Sequence, residues 1–134
     1  MNCRRVKAEA GEGRHLVQAA ATVTPNGIIV EILGGERPHV GAVALGLPRP
    51  SLADPEQVSC NVAVLPVLGH KDDEVARPAA ARAARELNQP VAVVAGLHVE
   101  RAGPDDINRL VANAHQALEA LLVLVKAGRT GSGG

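Results

Sequence analysis

A chain of 134 residues with no Phe, Tyr or Trp has to build its core from Val, Leu, Ile and Ala. That absence excludes nucleic-acid modules that stack bases on aromatic rings. It equally excludes an aromatic cage for a ligand. A flat ligand bound here must lie on aliphatic side chains, peptide planes, His rings or Arg guanidinium groups. Lys plus Arg and Asp plus Glu both number 14, so the net charge is zero and the basic excess of a nucleic-acid binder is missing. The length suits one domain. No apolar run is long enough to span a bilayer. The basic start MNCRRVKAEAGEGRH is followed by no apolar stretch of the signal-peptide kind. Cys3 and Cys60 form no motif, which predicts free thiols and a cytoplasmic setting, with Cys60 a small core residue.

Along the chain, residues 1–13 read as a flexible, polar terminus. RHLVQAAATVT and GIIVEILGG flank Pro25-Asn26-Gly27 and read as an antiparallel hairpin. HVGAVALGL (39–47) reads as a third strand and the Pro-rich stretch 48–55 as a loop. VSCNVAVLPVL (58–68) reads as a fourth strand, with Pro66 marking an edge position or a terminus. KDDEVARPAAARAARELN has helix-forming composition and acids in its first turn, although Pro78 implies a start near Arg77 or an irregular first turn. VAVVAGLHV (91–99) reads as a strand buried on both faces. A helix then follows Gly103-Pro104, with Ile107, Leu110, Val111, Ala114, Leu118, Leu121, Leu122 and Val125 at helical spacing. Residues 127–134 read as a flexible tail.

The predicted order is ββββαβα over 14–126, an α+β domain of two layers. A mostly antiparallel five-stranded sheet carries two helices on one face. The strands hold few polar residues, so the uncovered face predicts a homo-oligomer.

Three segments place a His beside Gly at a strand edge: 34–43, 68–77 and 95–103. In the first, Gly34 and Gly35 allow close backbone approach and Arg37 suits a phosphate or carboxylate. In the second, His70 and Lys71 precede a helix N-terminus that attracts anions, where Asp72, Asp73 and Glu74 serve equally well as capping acids. Asp72 is also placed to orient His70. The third sets His98 near the end of a central strand, before Glu100 and Arg101. Three imidazoles can move protons near neutral pH or ligate zinc or iron. No pair shows metal-ligand spacing, so no metal is assigned; if one is bound, His39, His70 and His98 are its candidates. His15 and His115 stand in no such context. The chain has no GxSxG, GxxxxGK[ST] or GxGxxG motif.

GGERPHVG, GHKDDEVAR and AGLHVERA, in that order and at these separations, resemble the small D subunit of the gallate, vanillate and hydroxybenzoate decarboxylases, over roughly residues 14–122. That family is described as a prenylated-flavin chaperone. The resemblance implies a cofactor-binding accessory protein rather than an ordinary enzyme. It would bind prenylated FMN and deliver it to a UbiD-type aromatic acid decarboxylase, or assist its oxidation to the active iminium form. Residues in the matched motifs are the implied binding set: Gly34, Gly35, Arg37, His39, Gly41, His70, Lys71, Asp72 and His98. Of these, His39, His70 and His98 are candidates to touch the ring or move protons. The loop 47–57, LPRPSLADPEQ, departs from the family pattern. Two alternatives stand beside this reading: a small metal-dependent enzyme using the three His, and a structural subunit of the decarboxylase that touches no cofactor.

Overall fold

The computed structural model describes residues 1–67 and 72–132. The elements in chain order are β1 (Arg4–Ala10), a 3-10 turn (Gly13–His15), β2 (Val17–Thr24), β3 (Gly27–Gly35), β4 (Ala42–Pro50) and β5 (Val58–Pro66). After these come α1 (Asp73–Leu87), β6 (Val91–His98) and α2 (Pro104–Ser132). The six strands form one sheet in the order β1-β2-β3-β6-β4-β5. All neighbours are antiparallel except β3 and β6, which are parallel.

The α+β class and the two helices agree with the sequence reading, and the strand count and pairing correct it. Residues expected to fray form β1, whose Val6, Ala8 and Ala10 turn inward while Arg5, Lys7 and Glu9 face solvent. This is the alternation of a half-buried strand. The second and third strands of the sequence reading, now β3 and β4, are not neighbours, because β6 sits between them. Its eight residues VAVVAGLH contain no Asp, Glu, Lys or Arg, which suits a strand paired on both edges. Only its helix-side face is fully buried; Ala92 and Val94 on the other face are half-buried. α2 runs on to Ser132, through most of the expected tail.

Two proline placements follow from hydrogen-bond phase. Pro48 and Pro50 lie within β4 rather than in a loop, opposite Cys60 and Val58. β6 pairs with β4 only as far as Gly46, so beyond that point the missing N–H groups face no strand. Pro66 ends β5, which is indeed an edge strand. Pro78 lies inside α1, whose regular helix begins at Asp73.

Both helices pack on one sheet face, α1 over β4, β5 and β6 and α2 over β1, β2 and β3. Ala76, Ala79, Ala80, Ala83 and Ala84 of α1 are buried against Ala42, Ala44, Val91, Val93 and Ala95. Small side chains on both layers let helix and sheet approach closely, which is how a core without aromatic residues fills its space. Cys60 packs at the margin of this core, half-buried, and its thiol donates to the Ala81 carbonyl oxygen at 3.6 Å.

The start of α2 is tied to the β1–β2 connection. His15 Nε2 lies 2.7 Å from Asp106 Oδ1, and the Gly103 N–H donates to Asp106 Oδ2 at 2.9 Å. Those two bonds, the Gly103 one foremost, hold the Asp106 carboxyl below its ordinary value of 3.8. A lowered carboxyl stabilises the fold above that value, and the contribution is lost as pH falls through the folded-state value. Asp106→Ala is therefore expected to melt a few degrees lower than the wild type at pH 6. The gap should close on acidification below pH 3.8; thermal melts at the two pH values check this.

Candidate functional site

Parallel strands leave a crevice beyond their carboxyl ends, and β3 and β6 are this sheet's parallel pair. Their last residues, Gly35 and His98, are register partners. From Gly35 the chain crosses the end of β6 to reach β4. That crossing, residues 36–41, carries the first motif over the third.

Glycines permit the crossing. Gly35 has φ +81°, and a Cβ there would strike the His98 carbonyl. Both the Glu36 and Arg37 N–H groups donate to that same oxygen, at 2.7 and 3.2 Å. Gly96 lies directly beneath the His39 backbone, where a Cβ would overlap the His39 carbonyl. Gly41 abuts the Asp72 carboxylate, and its N–H donates to the Ala95 carbonyl at 2.9 Å. Gly34 packs against Leu16 and Val17 of the β2 side and so shapes the strand pairing rather than the crevice.

Asp72 is the buried polar residue of this arrangement, 7% exposed. It stands at the N-cap of α1 but makes no side-chain capping bond. Instead Oδ1 accepts the Leu97 N–H at 2.9 Å, and Oδ2 lies 2.8 Å from His39 Nε2. The expected pairing of Asp72 with His70 lies outside the described residues; among them, Asp72 meets the ring of His39. The other ring nitrogen, His39 Nδ1, lies 2.9 Å from the Arg37 carbonyl oxygen. Both neighbours are acceptors when Asp72 is ionised. The imidazole then satisfies them only with a proton on each nitrogen, unless Asp72 supplies the second proton itself.

His98 stands beside this pair. Its ring is T-shaped to that of His39, with centroids 6.3 Å apart. Arg37, Pro38, His39 and His98 line a shallow depression of about 260 Å³. Around its rim Arg37 Nη1 pairs with Glu100 Oε1 at 2.9 Å, and His98 Nε2 lies 3.4 Å from the same oxygen. The Glu100 N–H donates to Glu36 Oε1 at 2.9 Å, and Arg14 reaches the Glu100 carbonyl at 2.8 Å. Arg37 is 73% exposed. An exposed ion pair of this kind is worth little, so an incoming anion can take the guanidinium from Glu100 cheaply.

The structure thus brings together Gly35, Arg37, His39, Gly41, Asp72 and His98. His70 and Lys71 lie outside the described residues. Sequence reasoning missed Glu36 and the rim role of Glu100, although both flank the matched motifs. It also gave no context to His15, which pins α2; His115 is exposed. Among the described residues no group of His, Cys, Asp and Glu is arranged to hold a metal ion. Both nitrogens of His39 lie within hydrogen-bond distance of oxygen atoms.

No curated protein matches this chain. A chain in the crystal structure of a chaperone complex for yeast 20S proteasome assembly superposes with a TM-score of 0.60 at 20% identity, covering 95% of this chain and 98% of that one. That likeness is one of fold. The sequence profile of the prenylated flavin chaperone LpdD-like domain matches residues 11–126, the span that holds strands β2 to β6 and the crevice. The chain belongs to the prenylated flavin chaperone LpdD-like family.

Proposed function

We propose that the protein binds prenylated FMN at the β3–β6 crevice and hands it to a UbiD-type aromatic acid decarboxylase, in whose active site the mature iminium form supplies the decarboxylation chemistry. One observation carries this reading. The first and third motifs, far apart in sequence, converge with Asp72 of the second on a single surface site that has an exposed guanidinium and two imidazoles.

The residues fit such a ligand. Arg37 is placed to take the phosphate, with the Glu100 pairing yielding to it. The edges of His39 and His98 and the ring of Pro38 offer a surface for a flat heterocycle in a chain without aromatic residues. Ligand sites usually enclose about 300–1,000 Å³. A depression of about 260 Å³ seats only part of a flavin nucleotide. The remainder stays accessible, as transfer to another protein requires. His39, held by Asp72 and the Arg37 carbonyl, is oriented to hold or move a proton beside the ring.

The open sheet face supports a homo-oligomer. Ile29, Val43, Leu45, Leu47 and Leu65 are exposed on it, a contiguous apolar area that a second copy would cover.

The test is an absorbance spectrum of the protein mixed with reduced prenylated FMN and then admitted to air. Without Trp or Tyr the protein absorbs almost nothing near 280 nm, so the ligand dominates. The expected result is a shifted, protein-bound chromophore, with binding at least tenfold weaker in His98→Ala. A spectrum identical to that of free cofactor would sink the reading and leave the metal-dependent enzyme and the structural subunit.

A further inference from the structure

Strand β5 is paired on one side only. Two bonds fix the phase of its ladder: Val67 N–H to the Gly41 carbonyl and Ser51 N–H to the Gln57 carbonyl, both 2.8 Å. In that phase the odd-numbered residues of β5 face β4, and Val58, Cys60, Val62 and Val64 turn their N–H and C=O groups outward. Those groups find no partner among the described residues. Proteins guard such edges with charge, proline or bulges. The opposite edge, β1, follows that rule with Arg4, Arg5, Lys7 and Glu9. The nine residues of β5, VSCNVAVLP, carry no charge, and the single proline is the last residue.

Two cations flank this bare edge. Arg85 of α1 brings Nη1 to 3.9 Å from Cys60 Sγ, and Arg49 donates to Asn61 Oδ1 at 2.8 Å. Neither has a carboxylate partner among the described residues. The far end of β5 leads to the crevice, since Val67 bonds to Gly41 and Gly41 abuts Asp72.

We propose that the β5 edge is the docking strand for an extended segment of the client decarboxylase, one whose acidic side chains meet Arg85 and Arg49. This rests on the chaperone reading and adds the surface through which the client is brought beside the flavin. A second copy of the chain fits the edge poorly, because pairing β5 with itself sets one basic rim against another.

The experiment is amide hydrogen exchange on the protein alone and mixed with the apo form of a UbiD-type aromatic acid decarboxylase and reduced prenylated FMN. The Cys60, Val62 and Val64 amides are expected to slow at least tenfold in the mixture. Arg85→Glu is expected to slow flavin transfer at least tenfold while leaving flavin binding intact. Val62→Pro deletes one outward donor at a position where an edge strand tolerates proline, and should act in the same way. A mixture that transfers flavin with unprotected β5 amides, or at a rate indifferent to Arg85→Glu, overturns the docking strand and leaves the chaperone standing. Protection that appears in the protein alone and grows with its concentration assigns the edge to a second copy and overturns it as well. Absence of flavin binding by the wild type removes both readings together.

Discussion

Gly96→Ala is expected to lose about 3 kcal/mol of stability and the flavin site with it. A Cβ at this position overlaps the His39 carbonyl, and the atoms it meets are backbone rather than the tip of a flexible side chain. Overpacking a well-filled site costs roughly 1–3 kcal/mol when side chains can move aside, and more when they cannot. Here relief comes only by lifting residues 36–41 off the end of β6. That breaks the Gly41 bond to Ala95 and draws His39 away from Asp72. For a domain of this size the midpoint of thermal unfolding should fall by on the order of 10 °C. Calorimetry and a flavin titration read the two effects. An unshifted midpoint with full binding would mean that the crossing segment does not rest on Gly96.

The second large effect is at Asp72, where two substitutions separate structure from proton chemistry. Asp72→Ala leaves the Leu97 N–H and His39 Nε2 without their acceptor in a buried setting. Each orphaned donor costs roughly 1–3 kcal/mol, so a loss of about 2–6 kcal/mol is expected. Asp72→Asn keeps the shape and can satisfy every described partner. The amide oxygen accepts from Leu97, and the amide nitrogen donates to His39 Nε2. The ring then keeps its one proton on Nδ1, toward the Arg37 carbonyl. The Asp72→Asn chain should therefore fold with far smaller loss, holding a neutral His39 in a single tautomer. Imidazole nitrogen chemical shifts distinguish that tautomer from a doubly protonated ring. Flavin binding that persists while transfer or maturation fails would assign His39 a proton role rather than a purely structural one.

Much of this site was legible because its chemistry is local. Gly35, Arg37, His39 and His98 sit in short segments whose glycines and prolines break the strand pattern, and such breaks mark where backbone crosses backbone. What the sequence could not carry was pairing across distance. Asp72 reads locally as a helix-capping acid or a partner for nearby His70. Its bond to His39 exists only because β6 is inserted between β3 and β4, which places the start of α1 beside the crossing segment. Nothing in four successive runs of strand-forming residues states that the fifth will enter between two of them. β1 was missed for another reason. The alternation of Val6, Ala8 and Ala10 with Lys7 and Glu9 is plain, yet the charges and glycines around it give the stretch the composition of a terminus.

The insertion of β6 also sets an order of events during synthesis. Until residues 91–98 leave the ribosome, β3 and β4 each lack a neighbour, and the hairpins on either side cannot join into one sheet. The crevice has no floor before that moment, because Gly96 and His98 supply it. On the proposed function a half-made chain thus has no crevice for a flavin, and binding there would require that translation has passed the last strand.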